Sequence, residues 1–168
     1  DQEEGSLIYQ KRDDDFIEAY RFILPGYNVR PLELQGAIGK VQLDKLDNFL
    51  KTRRENANHF VELFKGDSRF IIQQEVGVSS WFCFTMIVTP HSDIRRETIL
   101  GILRDAEIEH RIITGGNFLR HDVIKYFDYQ VTKSVNADIA HDNGFFVGNH
   151  PVDIRDKIDY LYETLKNI

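Results

Sequence analysis

With 168 residues, 42% of them hydrophobic and 29% charged, the chain has globular composition and the length of one domain. Its formal charge of −6, from 21 Lys and Arg against 27 Asp and Glu, argues against nucleic acid as a partner. No apolar run approaches the ~18 residues of a membrane span, and the opening Asp1-Gln2-Glu3-Glu4 does not read as a signal peptide, so no membrane partner is expected.

Residues 1–20 read as poorly packed, because the acidic clusters Glu3-Glu4 and Asp13-Asp14-Asp15 enclose little apolar sequence. Such a start suits a linker or a segment that packs on something else. The punctuation sharpens at Leu24-Pro25-Gly26-Tyr27-Asn28-Val29-Arg30-Pro31, where two prolines and a glycine fix a turn and Pro31 suits the first position of a helix. Over residues 32–64 the period is helical: Leu34, Ile38, Val41, Phe49, Ala57, Phe60, Val61 and Phe64 recur mostly at three or four. One such helix would run about 50 Å, longer than a compact domain of this size needs. Gly36 and Gly39 in its first turns would each cost roughly 1 kcal/mol, and they predict close approach of another backbone. The alternative is a kink between two ordinary helices.

After Gly66 strands and helices alternate. Residues 69–74 and 81–88 read as strands, the second apolar on both faces like a covered central strand. It holds the one cysteine, Cys83, which excludes an internal disulfide, a cysteine-based zinc site and a thiolate-held cluster within this chain. Between Phe82 and Phe84 it reads as a buried, inert thiol, and the setting as reducing and cytoplasmic. Residues 93–106 form a helix capped by Ser92 or Asp93, with Ile99, Ile102, Leu103 and Ala106 inward. A strand follows over 108–114, a short helix over 136–143 stopped by Asn143-Gly144, and a strand over 145–147. The last element, 153–165, is a helix capped by Asp153 and buried through Ile154, Ile158, Leu161 and Leu165. The order α-β-β-α-β-α-β-α gives a small sheet with helices, hence α/β or α+β.

The six histidines contain no pair at helical spacing and no His-Glu-x-x-His pattern, so no metal site is expected. Nucleophile-elbow, Walker and dinucleotide motifs are lacking; Gly115-Gly116-Asn117 alone is a tight loop needing positive φ. On a strand, Glu109 and Arg111 share one face and His110 the other. A carboxylate and a guanidinium leading into a glycine loop suit a polyol and its phosphates, but equally a solvent-facing ion pair. Asn28 and Arg30, displayed at a helix start, suit a phosphate.

Pro25-Gly26-Tyr27-Asn28-Val29-Arg30-Pro31-Leu32-Glu33, then Gln35-Gly36-Ala37-Ile38-Gly39 and Arg53-Arg54-Glu55-Asn56-Ala57, resemble the vitamin B6-dependent nucleotide-sugar aminotransferase and dehydratase family, of type I aspartate-aminotransferase fold. Gly116-Asn117-Phe118-Leu119, Lys125-Tyr126-Phe127-Asp128-Tyr129 and Gly144-Phe145-Phe146-Val147-Gly148-Asn149-His150 resemble one branch of it, the GDP-4-keto-6-deoxy-sugar 3-dehydratases. The resemblance implies the carboxy-terminal part of a longer homodimeric enzyme. Residues 1–31 would be a linker and active-site loop, 32–66 a bridging helix and 67–168 the small domain.

It further implies pyridoxal or pyridoxamine phosphate as cofactor, with the ring and the catalytic base held by a domain this chain lacks. No catalytic base is therefore assigned here. Asn28 and Arg30 would reach the cofactor phosphate, and Glu109, Arg111, Asn117 and Phe118 would border the nucleotide-sugar substrate. The implied reaction is 3-deoxygenation of a 4-keto sugar in the synthesis of O-antigen dideoxysugars such as colitose, with glutamate restoring the amine form. A sugar aminotransferase of the same family and a non-catalytic α/β interaction module are the alternatives.

Overall fold

The computed structural model describes residues 13–27, 31–90 and 92–168. Its elements are α1 (Asp15–Glu18), α2 (Glu33–Leu43), α3 (Leu46–Phe64), β1 (Phe70–Ile72), β2 (Cys83–Val88), α4 (Arg96–Asp105), β3 (His110–Arg111), α5 (Val135–Asn143), β4 (Gly144–Gly148) and α6 (Arg155–Lys166). Two short 3-10 helices, Phe118–Arg120 and Asp122–Tyr126, lie between β3 and α5. The strands form an antiparallel sheet in the order β1-β2-β4-β3. The architecture is the expected small sheet with helices, in its α+β form.

The pleat sorts side chains by register. Phe70, Met86, Val88, Phe145 and Val147 fall on one face and are buried, with Phe84 beside them. Helices α3, α4 and α6 cover this face with Phe60, Phe64, Ile99, Leu103, Ile158, Leu161 and Leu165. Phe60 stacks on Phe84 at 4.5 Å between ring centroids, and Phe64 meets Phe60 at 4.8 Å and Tyr162 at 5.3 Å. Burying each of these large side chains stabilises the fold by about 1.5–3 kcal/mol.

A pair of buried amides ties α3 to the turn after β4. Asn56 Nδ2 donates to Asn149 Oδ1 (3.1 Å) and to the carbonyls of His150 and Val152 (3.2 and 2.8 Å). Asn149 Nδ2 donates in turn to the carbonyls of Arg53 and Trp81 (3.0 and 2.8 Å). Two of the sequence motifs, Arg53-Arg54-Glu55-Asn56-Ala57 and Gly148-Asn149-His150, thus meet in one network.

Several elements are shorter than the periodicity predicts. The helix expected over 32–64 is two helices: the Lys45 N–H turns to the Gln42 carbonyl (3.1 Å), a tightened step that ends α2 before α3 begins. In α2 no residue is buried, and Leu34, Ile38 and Val41 are all more than half exposed. β1 stops at Ile72 because the Gln73 side chain, in place of strand backbone, accepts the Thr85 N–H (3.1 Å). β3 is two residues long because the chain turns at once: the Gly115 and Gly116 N–H groups both fold back to the Ile113 carbonyl (2.8 and 2.6 Å). α4 begins at Arg96, after a separate turn in which Ser92 Oγ accepts the Ile94 N–H, and it buries Leu100 where Ile102 was expected. α6 begins at Arg155 with Ile154, not the expected Asp153, at its N-cap; Asp153 stands one residue earlier and its Oδ1 accepts the Arg155 N–H at 3.1 Å.

Candidate functional site

The second face of the sheet is open. Thr85, Phe146 and Arg111 lie in register across it, with Cys83 paired to Gly148 at its end. Phe82, 70% exposed, approaches Phe146 at 6.5 Å, and the Arg53 guanidinium sits 6.0 Å from the Phe82 ring. A cavity of about 680 Å³ begins here, lined by Tyr20, Arg53, Phe82, Thr85, Glu109, Arg111 and His150, and continues past the sheet to α6, where Lys157, Ile158 and Leu161 border it.

Arg111 is held in place from two sides. Its Nη2 bonds Glu109 Oε1 at 2.5 Å, and its Nη1 donates to the Tyr20 hydroxyl at 3.1 Å. The guanidinium keeps the Glu109 carboxyl below the usual carboxylate range, and the carboxylate raises Arg111 in return. His110 pairs with Val147 on the covered face, so the expected split between His110 and the Glu109–Arg111 pair holds. Both readings of that pair coexist: it is an exposed ion pair, and it forms part of a cavity wall. The wall carries Arg53, Arg111 and Lys157 against the one carboxylate, Glu109, which favours an anionic ligand. Cys83, expected to be buried, is half-buried and borders the cavity; partial burial pushes its thiol up, which keeps it a poor nucleophile.

Asn117 and Phe118 stand elsewhere. Asn117 is buried, and its side chain is spent inside the loop: Nδ2 donates to Asp138 Oδ1 (3.0 Å) and Oδ1 accepts the Leu119 N–H (3.0 Å). Its own N–H donates to His141 Nδ1 (3.0 Å). Gly116 has φ +69°, and a side chain there would collide with the His141 ring, so glycine is required twice over. With the loop N–H groups at 115, 116 and 117 all bonded within the protein, the loop holds its shape without a ligand.

Phe118 is half exposed and lines a second, apolar cavity of about 500 Å³ with Phe22, Leu24, Tyr27, Val123 and Phe127. The expected site residues therefore divide between two cavities. Sequence reasoning missed Tyr20, Arg53, His150 and Lys157, which lie far apart in the chain and meet only through the fold.

Asn28 and Arg30, expected at the cofactor phosphate, lie outside the described residues. Their described neighbours Gly26 and Tyr27 border the apolar cavity. Neither cavity is lined by an aspartate to meet a pyridine nitrogen, so the residues lining them do not by themselves make a vitamin B6 site. Among the described residues no group of three or more His, Cys, Asp or Glu suits a metal ion, and no helix is long and apolar enough to cross a membrane.

A model of the DegT/DnrJ/EryC1/StrS aminotransferase family matches residues 6–166. The chain is 51% identical over 158 residues to the GDP-4-keto-6-deoxy-D-mannose 3-dehydratase of Escherichia coli O55:H7, covering 93% of this chain and 41% of that protein. A solved E. coli GDP-4-keto-6-deoxy-D-mannose-3-dehydratase with bound hydrated PLP superposes with a TM-score of 0.78 at 50% identity, covering 92% of this chain and 40% of that one. Other structures of GDP-4-keto-6-deoxymannose-3-dehydratase hold a PLP-glutamate geminal diamine or GDP-perosamine. PseC of Helicobacter pylori, an aminotransferase of pseudoaminic acid biosynthesis, shares the fold at 17% identity, with a TM-score of 0.66 over 83% of this chain and 38% of its own. The chain thus spans about two fifths of the length of the dehydratase it matches. Across nearly all of its residues, the chain belongs to the DegT/DnrJ/EryC1/StrS aminotransferase family.

Proposed function

We propose that this chain is part of a pyridoxal/pyridoxamine phosphate-dependent 3-dehydratase. Its substrate is a GDP-linked 4-keto-6-deoxy sugar on the way to an O-antigen dideoxysugar, and glutamate renews the cofactor. The observation that carries this reading is the 51% identity to a GDP-sugar 3-dehydratase over 93% of this chain. The cavity on the open face agrees with it, since Arg53, Arg111 and Lys157 suit the diphosphate of a nucleotide sugar.

When bound, the cofactor supplies the amine and the electron sink for loss of the 3-hydroxyl. Arg111, fixed by Glu109 and Tyr20, presents a preset guanidinium to the anionic part of the substrate. Phe118 offers a ring face at the second cavity, while Asn117 serves by shaping the loop that carries it. Asn28 and Arg30 reach the cofactor phosphate, and the catalytic base lies outside these 168 residues.

In this reading residues 1–31 are linker and active-site loop, 32–66 the bridge and 67–168 the small domain of a cytoplasmic homodimer. The uncovered apolar side of α2, with open space at Gly36 and Gly39, supports the bridge. The test is to incubate the full-length protein carrying this chain with GDP-4-keto-6-deoxymannose, PLP and glutamate, and to identify the sugar by mass spectrometry and NMR. A 3-deoxy sugar that keeps its 4-keto group is expected. An amino sugar would establish the aminotransferase alternative instead, and unchanged substrate would favour a non-catalytic module.

A further inference from the structure

Between the two cavities stands one imidazole that neither the motifs nor the proposed chemistry uses. His121 is 8% exposed and joins two segments that are almost a hundred positions apart in the chain. Its Nδ1 accepts the Phe22 N–H at 3.0 Å, and its Nε2 lies 2.6 Å from the Gly115 carbonyl. A backbone N–H can only donate and a carbonyl can only accept. The two contacts together therefore require a neutral ring with its proton on Nε2.

The surroundings are built for this ring. It packs against Phe22 at 5.2 Å and Phe118 at 5.7 Å. A side chain at Gly115 would stand 3.2 Å from the Phe22 ring and 3.4 Å from His121 Nε2, so the loop, the histidine and the strap are in close contact there. The strap at 21–27 is held alongside by the Val123 N–H to the Phe22 carbonyl (3.0 Å) and by Arg21 paired with Asp122. His121 Nε2 is the bond that carries this assembly across to the Gly115 loop.

We propose that His121 is a positioning residue. By clamping the strap that runs on to Asn28 against the loop that carries Phe118, it sets the spacing between the cofactor side and the substrate side of the site. The proposal rests on the functional reading above for the roles of Asn28 and Phe118, but the clamp itself stands on the hydrogen bonds.

Three variants of the full-length protein dissect it. His121→Phe keeps the ring and loses both bonds, His121→Asn keeps an acceptor near Nδ1, and His121→Gln keeps a donor near Nε2. For His121→Phe, the Kd for PLP and the KM for the GDP-sugar are expected to rise on the order of tenfold, with kcat far less affected. The Asn and Gln variants are expected to recover part of each loss. A filler of space alone would leave both constants at wild-type values in the Phe variant, and that result overturns the proposal. Labelled-imidazole NMR is expected to show the neutral Nε2–H tautomer at His121; an Nδ1–H or doubly protonated ring equally overturns it. If the wild-type protein performs no dehydration, the functional reading fails, while the NMR result and PLP binding still decide the clamp.

Discussion

The two faces of the same four strands differ sharply. On one, Phe84, Met86, Val88, Phe145 and Val147 are all at most 6% exposed beneath three helices. On the other, Thr85, Phe146 and Arg111 stand in register under a cavity, with Phe82 and Arg53 at its rim. In the proposed reading the difference separates stability from binding. The covered face holds aromatic packing and spent amides, whereas the open face holds charges and half-exposed rings that the fold does not need for its core.

Substitutions should therefore split by face. The largest effect is expected from Phe60→Ala, which removes the ring stacked on Phe84. Chemical denaturation should show a loss of about 3–5 kcal/mol, with binding to the open face weakened only as unfolding sets in. Asn56→Ala comes next, because it strands Asn149 Oδ1 and leaves the His150 and Val152 carbonyls without that donor. A loss of about 2–3 kcal/mol is expected in the same assay. A near-neutral result would show that water replaces the amide.

Asn28→Ala should weaken PLP retention by about 1.5–3 kcal/mol, the worth of a hydrogen bond to a charged group. Equilibrium dialysis of the full-length protein measures it, and unchanged retention would remove Asn28 from the cofactor site. Arg111→Ala should raise the KM for the nucleotide sugar on the order of tenfold with little change in the melting curve, since its side chain is half exposed. A variant that simply unfolds would instead make the Glu109–Arg111 pair structural.

The smallest expected effect is a pH dependence from His141. Burial, then Arg120, hold its pKa below the ordinary histidine value, and its Nδ1 must be unprotonated to accept the Asn117 N–H. Because the folded pKa is the lower one, this contribution is fully present above about pH 6.5, the unfolded value, and is lost as pH falls through the folded value. Melting temperatures measured across that window should decline in the wild-type chain and stay flatter in His141→Asn.

Much of the covered face was legible in advance. The apolar spacing of Ile158, Leu161 and Leu165 predicts their burial, and they are buried. The order of strands and helices follows from the same periodicity. The break at Asp44-Lys45 was harder to see, because the apolar period continues across it while α2 and α3 differ in what they pack against. The open face was legible only in its local pair, Glu109 and Arg111. Tyr20, Arg53, His150 and Lys157 carry no shared spacing, since a cavity wall is assembled by tertiary packing and leaves no periodic trace. His121 had one signal, the glycine pair at 115–116, which marks close approach without naming the approaching group.

Hydrogen–deuterium exchange of the full-length protein, with and without the GDP-linked substrate, tests most directly whether the open face is the binding face. The account predicts added protection in peptides covering residues 82–86 and 109–118, and none in α4, which lies behind the sheet. Protection confined to α4, or none at 109–118 under saturating substrate, would contradict it.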